Sequence, residues 1–173
     1  IKDMNNAYYP EKTIVPFIDT VHDRAVVEIF RGCGRGCRFC QAGIIYRPVR
    51  EKTIDCINAL ANELLCNTGY EELSLASLST SDYSELNSLV LGLMKQYENK
   101  KIGISLPSLR LDSFSWEIME EIQKVRKTGL TFAPEAGTQR LRDVINKGIT
   151  EQDLLNATKK AFQLGWNNIK LYF

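Results

Sequence analysis

Apolar residues recur along this chain in two alternating rhythms. Residues 25–30 (AVVEIF) form a β-branched run suited to a buried strand. After Thr53, the residues Ile54, Ile57, Leu60, Ala61, Leu64 and Leu65 fall at helical spacing, and Gly69 supplies a stop. The alternation continues with strands predicted over 73–78, 102–106, 130–133 and 168–173. Helices are predicted over 84–97, 115–127, 139–146 and 150–164. In the third helix, Trp116, Met119, Ile122 and Val125 are placed to face inward. Thr150 with Asp153 is a weaker relative of the capping box, and Gly148 and Gly165 close the last two helices. Five strands alternating with helices predict an α/β fold: right-handed βαβ crossovers and a parallel sheet, doubly wound or curved into a barrel. In either architecture ligands gather at the C-terminal ends of the strands.

Residues 1–24 show little periodicity and contain Pro10 and Pro16, which suits an extended lead-in. Residues 25–173 then read as one domain, without internal repeat or linker. The chain opens on Ile1 and stops at Leu171-Tyr172-Phe173 inside a predicted strand, so it reads as a piece of a longer protein. A length of 173 residues with 44% hydrophobic content is enough to bury a core. The 22 basic and 21 acidic residues nearly cancel, which excludes a global electrostatic pull toward nucleic acid or membrane surfaces. The longest apolar runs fall far short of the roughly 18 residues of a membrane span, and the start is no signal peptide; a cytoplasmic protein is expected.

The five cysteines are odd in number, and three crowd into Cys33-Gly34-Arg35-Gly36-Cys37-Arg38-Phe39-Cys40, directly after the first strand. That favours metal or redox chemistry over a disulfide framework. Thiolates are soft ligands for iron–sulfur clusters or zinc, and the glycines let the backbone turn tightly around such a group. Three local cysteines leave one iron of a cubane free to chelate a small molecule. The other readings are a zinc site, a ferredoxin-like carrier, or three unrelated buried cysteines. Zinc wants a fourth ligand, and His22 is the only histidine. Cys56 and Cys66 lie about 80° apart around one predicted helix, so they do not converge and are expected to be small buried hydrophobes. Between Arg31 and Lys52 six basic residues face one acid, Glu51. This local patch suits an acidic electron donor, an anionic substrate such as RNA, or a solvated face.

A CxxxCxxC motif with an aromatic residue before its last cysteine, following strand one of a (βα) chain, resembles the radical S-adenosylmethionine (SAM) superfamily. The fold implied is a partial (βα)6 barrel, here truncated after strand five. By this resemblance Cys33, Cys37 and Cys40 hold a 4Fe-4S cluster and S-adenosylmethionine binds the remaining iron. One electron then cleaves the sulfonium, giving methionine and a 5′-deoxyadenosyl radical that abstracts a substrate hydrogen. The same resemblance places Phe39 against the adenine. Glu135, after strand four, accepts from the ribose hydroxyls, which suits an acceptor-only carboxylate; the alternative is a cap for the next helix. The superfamily's GGE-type segment after strand two is absent. Ser77-Leu78-Ser79-Thr80 stands in its place, so a hydroxyl or backbone contact at Ser77 or Ser79 must substitute. Arg110 and Lys170 are candidates for the methionine carboxylate or the substrate, with a surface role as the alternative.

The segments Ile14-Val15-Pro16, Val21-His22-Asp23-Arg24, Gln41-Ala42-Gly43 and Phe132-Ala133-Pro134-Glu135-Ala136-Gly137 resemble a narrower group. These are uncharacterised bacterial radical SAM proteins with a cobalamin-binding-like domain before the core and a domain of unknown function after it. The resemblance implies a flavodoxin- or ferredoxin-type electron donor. Methyl or methylthio transfer to RNA or protein enters by superfamily analogy, and a cobalamin-linked reaction requires a domain absent from this chain. The rival from another class is a non-enzymatic metal module, either a zinc-binding domain or an electron carrier.

Overall fold

The computed structural model describes residues 1–113, 115–126 and 129–173. Its elements are β1 (Ala25–Glu28), β2 (Phe30–Arg31), α1 (Ala42–Ile45), β3 (Arg50–Glu51), α2 (Ile54–Thr68) and β4 (Glu72–Ala76). They continue with α3 (Leu86–Tyr97), β5 (Gly103–Ser105), α4 (Trp116–Val125), β6 (Leu130–Phe132), α5 (Gln139–Val144), α6 (Glu151–Gln163) and β7 (Ile169–Leu171). The predicted end of the third helix at Lys127 lies outside the described residues.

The expected parallel α/β arrangement holds. β4 pairs in parallel with β1 on one side and β5 on the other, and β6 pairs in parallel with β7. Among the described residues no ladder joins β5 to β6, so the five long-range strands form two ladders instead of one. Helices α2, α3, α4 and α6 bury their apolar stripes against the strands through Ile57, Leu64, Leu89, Leu93, Ile122 and Ala161. Local signals set the helix ends. Thr53 accepts from the Cys56 amide, Gly69 closes α2 in the left-handed conformation, and Thr150 with Asp153 forms a complete capping box.

Two sequence expectations need correction. The strand over 25–30 breaks at Ile29, whose amide donates to the Ala76 carbonyl while its own carbonyl accepts from the Lys52 amide. Phe30 and Arg31 therefore leave the parallel sheet and pair antiparallel with Glu51 and Arg50, a ribbon with no periodic signal of its own. Cys66 is exposed and Cys56 only partly covered, its thiol 3.8 Å from the Asn5 carbonyl, so neither is a buried hydrophobe.

The lead-in is irregular, yet it is anchored at Met4, which is buried, and at Tyr9, whose hydroxyl donates to the Val26 carbonyl on the free edge of β1. Burial, with the Glu28 charge nearby, pushes the Tyr9 phenol up to about 12. The buried Lys52 ammonium donates to the Glu28 carbonyl at 3.0 Å on the same strand. These contacts occupy an edge that would otherwise offer unpaired backbone groups.

The cysteine loop follows β2 and is tied from three directions. Arg35 forks onto both oxygens of Asp82, beyond β4, and reaches Asp112, beyond β5, at 3.1 Å. The Arg38 amide donates to the Ile145 carbonyl at 2.9 Å, and its guanidinium donates to the Val144 carbonyl. Asn146 donates its carboxamide to the Gly36 carbonyl at 2.8 Å. Glycine is required at two close approaches. A Cβ on Gly32, whose φ is 102°, would lie 2.5 Å from the Tyr46 carbonyl, and one on Gly43 would lie 2.3 Å from the Arg35 carbonyl. The turn after α5 is itself fixed by Arg142, 2% exposed, which donates to the carbonyls of Ala136 (2.9 Å) and Ile149 (3.1 Å).

Burial pushes the Asp82 carboxyl upward, but hydrogen bonds from Arg35 and Ser79 more than offset it, so the group lies below its ordinary value. A depressed carboxyl contributes stability that is present above the unfolded value of about 4 and lost as pH falls through the folded value. Asp82→Asn is expected to lower the melting temperature at pH 7, with the gap from wild type closing on titration to pH 3. A gap that stays constant with pH would contradict the clamp. Arg142→Met is expected to cost at least about 2 kcal/mol in chemical denaturation, because it strands two backbone acceptors.

Candidate functional site

The cysteines sit on a loop with little regular structure of its own, beyond the C-terminal end of β1. Cys33 and Cys37 are half-buried, Cys40 is exposed, and the Cys40 amide donates to the Cys37 carbonyl at 3.1 Å in a tight turn. A cavity of about 290 Å³ lies against Cys37 and Cys40, with Ile44, Arg38 and Arg47 on its walls. Among the described residues no three His, Cys, Asp or Glu side chains converge as a ready-made metal site. The donor set is therefore a matter of chemistry and placement: three soft thiols on one short glycine-containing loop.

The one histidine and the other two cysteines lie on other segments of the chain. His22 precedes β1 while the cysteines follow it, and its Nδ1 lies 3.5 Å from the Arg24 guanidinium. Cys56 and Cys66 belong to α2. Three thiols on one loop are a donor set that could hold a cubane with one iron left open.

Phe39, between the second and third cysteines, exposes its ring. Glu135 follows β6 in the left-handed region at φ 68°, its amide donating to the Tyr172 carbonyl beyond β7 at 3.1 Å. These two residues, 96 positions apart by their numbers 39 and 135, meet at one side chain that the sequence patterns did not single out. The Lys147 ammonium lies 3.1 Å from Glu135 Oε1 and 6.0 Å from the Phe39 ring centroid.

The remaining sequence candidates divide. Ser77 Oγ lies 3.0 Å from Thr80 Oγ1, and Ser79 donates to Asp82 Oδ2 at 2.7 Å, so both hydroxyls hold the turn that carries Asp82. Arg110 is nearly buried; its Nε and Nη2 donate to Asp112 at 2.9 and 3.1 Å, and Nη2 also donates to the Lys147 carbonyl at 2.9 Å. Lys170 is exposed on β7, in register with Thr131 and 5.3 Å from the Tyr172 ring centroid, away from the cysteine loop's own contacts.

Five of the six basic residues between Arg31 and Lys52 are engaged. Arg31 pairs with Glu28, Arg35 with Asp82 and Asp112, and Arg38 and Arg50 with backbone carbonyls, while Lys52 is buried and Arg47 is exposed on the cavity wall. Asp82, Asp112, Asn146 and Lys147 were the residues sequence reasoning missed. For Asn146 a signal existed: Asn-Lys-Gly after a short helix marks a tight turn, and both Asn146 and Gly148 have positive φ.

The family model described as the radical SAM superfamily matches residues 27–173. The uncharacterized protein MJ0966 of Methanocaldococcus jannaschii is 34% identical over 99% of this chain. The chain spans 39% of that relative's length. Among solved structures, the radical SAM methyltransferase TsrM of Kitasatospora setae, with cobalamin and a 4Fe-4S cluster bound, superposes with a TM-score of 0.66 at 10% identity, over 85% of this chain and 30% of its own. The cobalamin-dependent radical SAM enzyme OxsB superposes at 0.58 with 18% identity, covering 86% of this chain and 23% of its own. Methylornithine synthase PylB gives 0.55 at 16% identity, covering 86% and 43%. The parallel α/β fold is the one the alternation predicts, it matches the truncated partial barrel that the resemblance implies, and the chain belongs to the radical SAM superfamily.

Proposed function

We propose that this chain is the cofactor-binding core of a radical SAM enzyme. It holds a 4Fe-4S cluster through Cys33, Cys37 and Cys40 and cleaves S-adenosylmethionine reductively, releasing methionine and a 5′-deoxyadenosyl radical that takes hydrogen from a substrate. The observation that carries this reading is the convergence of the three-cysteine loop, the Phe39 ring and the Glu135 carboxylate at the C-terminal ends of the strands. When bound, the cluster supplies the electron and an iron site open to the amino and carboxylate groups of S-adenosylmethionine.

The chain's own residues do the rest. Arg35, Arg38 and Asn146 tie the loop that carries the three thiols to the turns around it. Phe39 offers an exposed ring face against which a purine can stack. Glu135 is an acceptor-only group suited to a pair of vicinal hydroxyls, and Lys147 leaves one of its oxygens free to accept them. The hydroxyls of Ser77 and Ser79 are held within their turn, so a contact to the methionine amino group from this segment falls to the backbone.

The reaction after radical formation, including methyl or methylthio transfer, and the use of cobalamin depend on parts of a larger protein. A flavodoxin- or ferredoxin-type donor is the reductant that the chemistry calls for. No helix among the described residues is long and apolar enough to cross a membrane.

Anaerobic reconstitution is expected to load about four iron and four sulfide per chain, with Cys33→Ser, Cys37→Ser and Cys40→Ser each losing most of it and Cys56→Ser and Cys66→Ser losing none. Dithionite and S-adenosylmethionine should then yield 5′-deoxyadenosine; one zinc per chain with no sulfide would instead support a metal-binding module. Gly43→Ala is expected to lower the iron content although it removes no ligand, because its Cβ displaces the Arg35 carbonyl. Wild-type iron loading in Gly43→Ala would show that this contact does not shape the loop.

A further inference from the structure

The position of Lys147 is closely determined by its surroundings. Its side chain is only 10% exposed. Its backbone is pinned on both sides: the amide donates to the Arg142 carbonyl at 2.9 Å, and the carbonyl accepts from the Arg110 guanidinium at 2.9 Å. Arg142 is itself buried and bonded to two further carbonyls. The neighbouring Asn146 grips the cysteine loop at Gly36. The ammonium therefore emerges from a fixed turn, beside the loop, and ends 3.1 Å from Glu135 Oε1.

Glu135 gives a second, independent observation. A non-glycine residue rarely occupies φ 68°, and such strain persists only where the surroundings over-determine it. Here the Tyr172 carbonyl fixes the Glu135 amide and Lys147 fixes its carboxylate. An unpaired carboxylate at this partly covered position would swing toward water. Paired with Lys147, it stays beside the Phe39 ring, over which the same ammonium lies at 6.0 Å.

We propose that Lys147 is a positioning residue for the nucleoside half of S-adenosylmethionine, holding the Glu135 carboxylate beside the Phe39 ring so that base and ribose meet one preformed surface. This rests on the reading of Phe39 and Glu135 as nucleoside contacts and goes beyond it. Lys147 touches no reacting atom. It acts through Glu135, taking Oε1 and leaving Oε2 to accept from the ribose.

The test is isothermal titration of the anaerobically reconstituted chain with two probes: S-adenosylmethionine, and 5′-methylthioadenosine, which carries the nucleoside without the amino acid. Lys147→Met is expected to weaken both by the same factor, about ten-fold, as loss of one charge-assisted contact implies. The double variant with Glu135→Gln should bind much as Glu135→Gln does alone, since Lys147 acts only through that carboxylate. Lys147→Arg, which keeps a cation, should bind more tightly than Lys147→Met at a matched melting temperature; equal binding by the two would contradict a charge-based role. If Glu135→Gln weakens both probes and Lys147→Met weakens neither, or only S-adenosylmethionine, the inference fails while the reading of Glu135 stands. If Glu135→Gln and Phe39→Ala leave 5′-methylthioadenosine binding unchanged, the reading fails and the inference falls with it.

Discussion

Everything at this site depends on tethering a loop that cannot hold itself. Between β2 and α1 the cysteine segment has one turn bond of its own, from the Cys40 amide to the Cys37 carbonyl. Its shape comes from partners distant in sequence: Asp82 and Asp112 through Arg35, and the turn at Val144, Ile145 and Asn146 through Arg38 and Gly36. Two of these ties are ion pairs, and Asp82 is partly shielded from water, so they restrain geometry more firmly than exposed ion pairs would. These ties offset part of the entropy cost of ordering the segment.

The same logic explains why the anchors sit where they do. The C-terminal ends of parallel strands bring the turns after β4, β5 and β6 to one side of the sheet, next to the loop that follows β1 and β2. Arg35 reaches the first two turns. The segment after α5 reaches both the cysteine loop and, through Lys147, the turn after β6. Arg110 closes the circuit by joining Asp112 to the Lys147 carbonyl. Charges that look like a basic surface in the sequence are largely consumed by this internal network.

Much of the fold was legible because each long-range strand and helix has its own period. α2 is framed by Thr53 and Gly69, and α6 by the Thr150–Asp153 box, as local chemistry predicts. The cysteine spacing alone points to the candidate site. What stayed hidden depends on non-local partners. The break at Ile29 arises because its amide and carbonyl serve Ala76 and Lys52, residues on different elements. Cys66 reads as a small hydrophobe, yet it falls on the exposed face of α2 because Leu64 and Leu65 take the core side. Asn146 and Lys147 carry no metal-ligand or nucleotide signature, since they act by holding other residues.

The most direct test of the central claim is amide hydrogen exchange on the chelator-treated, metal-free chain. The Arg38 amide, bonded to the Ile145 carbonyl, should exchange far more slowly than an unfolded amide, and its protection should fall in Asn146→Ala. An Arg38 amide that exchanges at the unfolded rate, equally in wild type and Asn146→Ala, would contradict it and leave the ordering of the loop to the metal alone.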